Sequence, residues 1–131
     1  MDKKKSVVAL IVKGKKVLIG KKRKKKGKNR DGAWHIPSGK IKEGERRKEA
    51  LEREMKEELG EDSSIKILEF LGRYETQKGV ASWYKCSFSG KISPASDLEE
   101  AVFVSGKKAF EICGRRSGEW PQIVKKMLKC L

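Results

Sequence analysis

The apolar positions of this chain fall into short, separated runs. Residues 6–12, SVVALIV, are continuous, rich in β-branched side chains and too few for a helix, so they read as a buried strand. The turn KGKK follows, and residues 17–21, VLIGK, read as the hairpin partner. Residues 32–40, GAWHIPSGK, are bounded by Gly and Pro and fit one strand and a tight loop. Residues 45–59 hold neither Gly nor Pro and consist mostly of helix formers. Leu51, Met55 and Leu59 give that helix a narrow apolar stripe, and Gly60 is placed to cap its end. Strand character returns in residues 65–73, 80–88 and 101–104, with glycines and Pro94 near their ends. Residues 119–131 read as a closing helix, with Pro121 near its start and an apolar face of Trp120, Ile123, Val124, Met127 and Leu128. Strands around a central helix, with a second helix last, predict an α+β fold, a mixed sheet sandwich, in one domain spanning 1–131.

Charge changes the picture. The chain carries 33 Lys and Arg against 18 Asp and Glu, a formal net charge of +15. That excess suits an anionic partner such as a nucleotide, a polyphosphate or a nucleic acid, although a merely lysine-rich surface would look the same. Eight of the ten residues in Lys21–Arg30 are basic, so this segment is expected to be an exposed loop or hairpin tip and a candidate RNA contact. No apolar run approaches the roughly 20 residues of a membrane span, so no membrane partner is expected. The N-terminus has a basic start but no small-residue cleavage site and reads as a first strand. Cys86, Cys113 and Cys130 are scattered and His35 is the one histidine, which argues against a disulfide scaffold or a zinc site and fits the cytoplasm. Cys86, within a strand pattern, is expected to be a small buried apolar residue.

Against this basic background, nine of the 18 acids lie between Glu43 and Asp62. At about 100° per residue, Glu54, Glu57 and Glu58 share one helical face. Like charges at that spacing repel and weaken an isolated helix. A hard divalent cation, Mg²⁺ or Mn²⁺, would compensate them through oxygen ligands. Arg53 lies beside Glu57 and is able to hold a carboxylate by a bidentate pair. Gly39 and Gly44 bracket the loop entering the helix and permit close backbone approach, so a loop carbonyl is a further candidate ligand. Read without a cation, the same helix is a solvated surface laced with Lys–Glu pairs such as Glu52–Lys56.

Residues 39–61, GKIKEGERRKEALEREMKEELGE, resemble the Nudix box: Gly39, five residues, Glu45, seven residues, then Arg53-Glu54-Met55, and Glu57-Glu58 before Gly60. Glu61 stands where an aliphatic residue is usual, a departure that concerns packing, and Ser38 replaces a frequent Gly just before the box. The resemblance implies the Nudix fold, a mixed β-sheet sandwiched between helices, and Mg²⁺-dependent hydrolysis of a pyrophosphate bond in a nucleoside diphosphate derivative. It implies a metal site of Glu54, Glu57, Glu58 and the Gly39 carbonyl, oriented by Arg53 and Glu45. The general base is expected to be Glu57 or a later acid; Glu100, in the cluster with Asp97 and Glu99, is the second candidate, and a solvated loop charge is its plainer reading.

The family's subgroup markers are not evident downstream of the box. There is no Pro near fifteen residues beyond it, as in the ADP-ribose group, and neither Tyr74 nor Tyr84 sits where the dinucleoside polyphosphate group has its Tyr. Elimination leaves a MutT-like nucleoside triphosphate pyrophosphohydrolase as the default expectation. The alternatives are a Nudix enzyme acting on RNA 5′ ends and a silent nucleic-acid-binding module. Trp34, Tyr74, Trp83 and Phe103 are the candidates for stacking a base, each equally readable as core. His35 is expected to be a strand residue near the site.

Overall fold

In the computed structural model, the described residues are 4–23, 33–76, 79–114 and 118–131. Strand β1 (Lys4–Lys13) turns at Gly14, whose φ of 60° lies in the left-handed region, into β2 (Lys16–Lys22), with Val12 opposite Val17. Two short strands, β3 (Trp34–His35) and β4 (Ser38–Lys40), lead to helix α1 (Arg47–Leu59). An antiparallel pair follows, β5 (Ser63–Thr76) and β6 (Gly79–Gly90), then β7 (Leu98–Ser105), α2 (Gly106–Cys113) and α3 (Gln122–Lys129).

β1 organises the sheet. It runs parallel to β6, from Lys4 beside Gly79 to Ile11 beside Cys86, and antiparallel to β4 and β2. β2 in turn takes β3 and β7, so the sheet is mixed, as expected. Val7, Ala9 and Ile11 point into a core with Leu51, Met55 and Leu59 of α1. Val8 and Leu10 point into another with Ala109 of α2 and with Val124 and Leu128 of α3. With apolar partners on both faces, residues 6–12 need no alternation, which explains their continuous run. Each fully buried Val, Leu or Ile contributes about 1.5–3 kcal/mol relative to exposure.

Several boundaries differ from expectation. The strand expected over 101–104 runs from Leu98 to Ser105, and helix α2 follows it directly. The Ser105 hydroxyl caps α2 by accepting from Lys108 N at 3.1 Å, while Ala109 and Cys113, four residues apart, bury one face. The closing helix begins at Gln122, with Pro121 at its cap and Trp120 buried just before it. Gly60 does end α1, at φ 99°, with its N–H donating to Lys56 O. Cys86 is fully buried, and burial pushes its thiol up to about 12. Lys21 and Lys22 belong to β2 rather than to a loop, and Arg23 is tied down by its N–H to Asp97 O at 2.8 Å; the rest of Lys21–Arg30 lies outside the described residues. Among the described residues no helix is long and apolar enough to cross a membrane.

Candidate active site

The loop between β4 and α1 is folded around one guanidinium. Glu45 accepts from Lys42 N at 3.0 Å, closing a turn that passes through Gly44 at φ 77°. Arg53 reaches back from α1 and grips the same carboxylate twice, Nε to Oε2 at 2.7 Å and Nη2 to Oε1 at 2.9 Å. Its remaining donors go to Lys40 O at 2.9 Å, Glu54 Oε1 at 2.9 Å and Glu57 Oε2 at 3.3 Å. This fork-on-fork geometry is what a lysine lacks. The hydrogen bonds from Arg53, with that from the Lys42 backbone, hold the Glu45 carboxyl down to about 2. The Glu45 carboxylate in return, with Glu54, holds the Arg53 guanidinium above its ordinary range.

The three helix acids then part company. At about 100° per residue, Glu54 and Glu58 fall within the arc spanned by Ala50, Leu51 and Met55, whereas Glu57 falls some 40° from Arg53. Glu58 is buried, Glu54 part-buried, and the Glu57 side chain is half-exposed on Arg53. Burial pushes Glu58 up to about 8, helped by the charge of Glu54 and then by Asp97 and Glu57, while Lys22 opposes the shift. Glu54 is also raised by burial, against the hydrogen bond from Arg53. Glu58 Oε2 is buried without a hydrogen-bond partner.

Glu54 and Glu58 line a cleft of about 950 Å³, together with Gly39 and Asp97. Lys4, Lys5, Lys22, Lys40 and Lys42 also border it. Gly39, opposite Val7 on β4, is where the strand passes the helix most closely: a methyl group there would overlap the Glu54 side chain. A smaller cavity of about 340 Å³ adjoins the cleft, sharing Ser38 and Thr76 with it. Its walls include Tyr74, Trp83 and Trp120.

The structure thus brings Gly39, Glu45, Arg53, Glu54 and Glu58 together, with Glu57 outside the cleft lining on the Arg53 side. Glu100 is exposed on β7 opposite Lys21 and does not line the cleft, whereas Asp97, three residues earlier, does. Asp97 belongs to the acidic cluster with Glu99 and Glu100, of which the pattern singled out Glu100. Its one available signal was its position just before the β7 strand. Of the aromatic candidates, Tyr74 and Trp83 line the smaller cavity; Trp34 and Phe103 instead pack against the cores. Trp120, assigned to a helix face from the pattern, joins them. His35 borders this cavity and donates from Nδ1 to Ile36 O at 3.0 Å.

Among the described residues no three His, Cys, Asp or Glu side chains are gathered tightly enough to enclose a metal ion by themselves. One buried carboxylate with an orphaned oxygen and a second, part-buried one, beside a glycine backbone, nonetheless fit a cation that keeps several waters and shares itself with a phosphate.

The family model of the NUDIX domain matches residues 2–119. No curated protein matches the chain. Among solved structures, the ORF135 protein of E. coli superposes with a TM-score of 0.68 at 21% identity, over 98% of this chain and 88% of that one. A NUDIX hydrolase from Nitrosomonas europaea gives 0.74 at 17% identity, over 98% and 69%. A MutT structure from work on Aliivibrio salmonicida and Vibrio cholerae gives 0.68 at 20% identity, over 98% of both chains. At such identities the likeness establishes the fold.

Proposed function

Because the chain belongs to the NUDIX domain family, we propose that it hydrolyses the pyrophosphate bond of nucleoside diphosphate derivatives with the help of Mg²⁺ or Mn²⁺, and that nucleoside triphosphates are its substrates. The observation that carries this reading is the cleft lined by the buried carboxylate of Glu58, the part-buried one of Glu54 and five lysines. The two charge sets answer different needs. Glu54, Glu58 and the Gly39 carbonyl would hold the cation, and Lys22, Lys42 and their neighbours would hold phosphate oxygens. When bound, the cation supplies positive charge against the diphosphate and makes water a better nucleophile. Glu57 is held by Arg53 through one oxygen only, at 3.3 Å, and would add its other oxygen to the carboxylate group.

In this reading water adds to one phosphorus, the bridging P–O bond breaks, and the products are a nucleoside monophosphate and pyrophosphate. Asp97 takes the proton, in preference to the sequence candidates Glu57 and Glu100, because Asp97 borders the cleft beside Glu58 and they do not line it. Arg53 and Glu45 act through Glu54 by fixing its carboxylate, as positioning residues. A second reading, cleavage at the 5′-triphosphate end of RNA, is favoured by the same lysine rim, because a longer polyanion gains from each added cation.

The test is a Mg²⁺ panel of nucleoside triphosphates, ADP-ribose, diadenosine polyphosphates and 5′-triphosphate RNA, with phosphate and pyrophosphate release followed separately. Pyrophosphate release from triphosphates is expected, lowered at least about a hundredfold in kcat by Glu58→Gln and by Asp97→Asn but not by Glu100→Gln. Undiminished turnover in excess EDTA overturns the metal dependence, and a kcat/KM for ADP-ribose more than about tenfold above every triphosphate overturns the substrate.

A further inference from the structure

The acid that borders the cleft sits on an irregular stretch of chain between β6 and β7. Ser93 N donates to Leu59 O at 2.7 Å and Ala95 N to Glu58 O at 3.0 Å, which ties the stretch to the end of α1. Leu98 N then closes a turn on Ala95 O at 3.0 Å. Inside that turn Ser96 has a φ of 54°, the one positive φ outside glycine among the described residues. A serine in the left-handed region is strained, and it persists only where its surroundings hold it there.

Arg23 supplies a second tie. It stands one residue past β2, where the pairing with β7 shifts between Lys21 and Lys22. Its Nε donates to Ser96 O at 3.0 Å and its backbone N–H to Asp97 O at 2.8 Å. These two carbonyls flank the Asp97 α-carbon, one in the peptide before it and one in the peptide after it. Peptide units are planar, so holding both carbonyls sets the backbone of Asp97 and the direction in which its side chain leaves. The planar guanidinium has its Nε–H fixed in one direction, whereas an ammonium on a flexible stem does not. Unlike Lys22 beside it, Arg23 does not line the cleft.

We propose that Arg23 is a positioning residue that acts through Asp97, holding the Ser96–Asp97 segment so that the Asp97 carboxylate stays at the cleft. The inference rests on the reading of Asp97 as the group that takes the proton from water. The Arg23 side chain is exposed, so water competes for its hydrogen bond, and the backbone tie survives its removal. The loss on removing it is therefore smaller than the loss on removing the Asp97 carboxylate.

The test has one arm that uses turnover and one that does not. Hydrolysis of the best triphosphate of the Mg²⁺ panel is measured for the parent, Arg23→Ala, Arg23→Lys, Asp97→Asn and the pair Arg23→Ala with Asp97→Asn. Arg23→Ala should lower kcat about tenfold and leave KM within about twofold. Arg23→Lys should not restore kcat, since it keeps the charge without the guanidinium geometry. In the Asp97→Asn background the Arg23→Ala change should cost less than about twofold. A parent-like kcat in Arg23→Ala, full rescue by lysine, or the same tenfold loss in both backgrounds overturns the proposal. A rise in KM without a fall in kcat overturns it too, because that outcome makes Arg23 a charge that attracts phosphate.

The second arm is amide hydrogen exchange in EDTA, read by NMR at Ala95 and Leu98. Arg23→Ala should speed exchange at both about tenfold and leave the amides of β1 unchanged. Unchanged exchange at both overturns the proposal whatever the kinetics. Faster exchange together with a parent-like kcat in Asp97→Asn upholds the tie between Arg23 and this segment and overturns instead the reading of Asp97 as the proton acceptor.

Discussion

Replacing Glu58 by Gln in the metal-free protein is expected to stabilise it at high pH and to do nothing of the kind at low pH. Glu58 is 7% exposed, its Oε2 has no hydrogen-bond partner, and burial raises its carboxyl from 4.5 to about 8. The folded state therefore keeps a proton that the unfolded chain gives up. Stability attached to this group is whole below pH 4.5, declines between 4.5 and 8, and is gone above 8. At about 1.4 kcal/mol per pH unit the full interval is worth at most about 5 kcal/mol, and water penetration and relaxation reduce it to about 2–3 kcal/mol. The assay is urea unfolding in EDTA, monitored by tryptophan fluorescence, for parent and Glu58→Gln at pH 5 and pH 9. Comparing the two proteins at each pH cancels the other titrating groups. The variant should exceed the parent by about 2–3 kcal/mol at pH 9 and match it within about 1 kcal/mol at pH 5. Added Mg²⁺ should raise the stability of the parent at pH 9 and leave the variant nearly unmoved. A difference between the proteins that is the same at both pH values would refute the reasoning, because it would show that Glu58 carries no buried charge.

Arg53→Lys removes the double grip on Glu45 and should cost about 1–3 kcal/mol by thermal or urea unfolding, with a fall in kcat larger than any rise in KM. Gly39→Ala inserts a methyl group where the Glu54 side chain lies, so Mg²⁺ affinity by calorimetry should weaken at least about tenfold while the far-ultraviolet dichroism stays that of the folded chain. Because Arg53 holds Glu45 down to about 2, its contribution is present above pH 4.5 and lost as pH falls to 2; the stability gap between parent and Glu45→Gln, read by acid titration, should close over that window.

Local pattern was enough for the elements whose partners lie on both sides of the sheet or along one helix. The run over residues 6–12, the Leu51–Met55–Leu59 stripe and the glycine at the end of α1 all announce themselves within one or two turns of chain, because strand and helix periods are local properties. The box spacing announced the acids in the same way, but not the division among them: on the helical wheel Glu58 falls about 20° from Leu51 and Glu57 equally close to Ala50, so only the packing around α1 separates them. Helix α2 was hidden because its single buried face, Ala109 and Cys113, is too short a signal to stand apart from the strand before it.

Tertiary structure alone decided which later acid meets the site and which aromatic rings meet one another. Asp97 borders the cleft and Glu100 does not because β7 pairs with β2 in a register that sets Glu100 opposite Lys21 with its side chain exposed. A slip of one residue would turn every side chain of that strand to the other face, and nothing in the local sequence sets the register. Trp83 and Trp120, from β6 and from the segment before α3, share a cavity only because β6 lies parallel to β1 and α3 covers that side of the sheet. Composition and periodicity settle the long, strongly patterned elements and their buried faces; the meeting of residues far apart in the chain depends on strand register and helix docking, which only the assembled core determines.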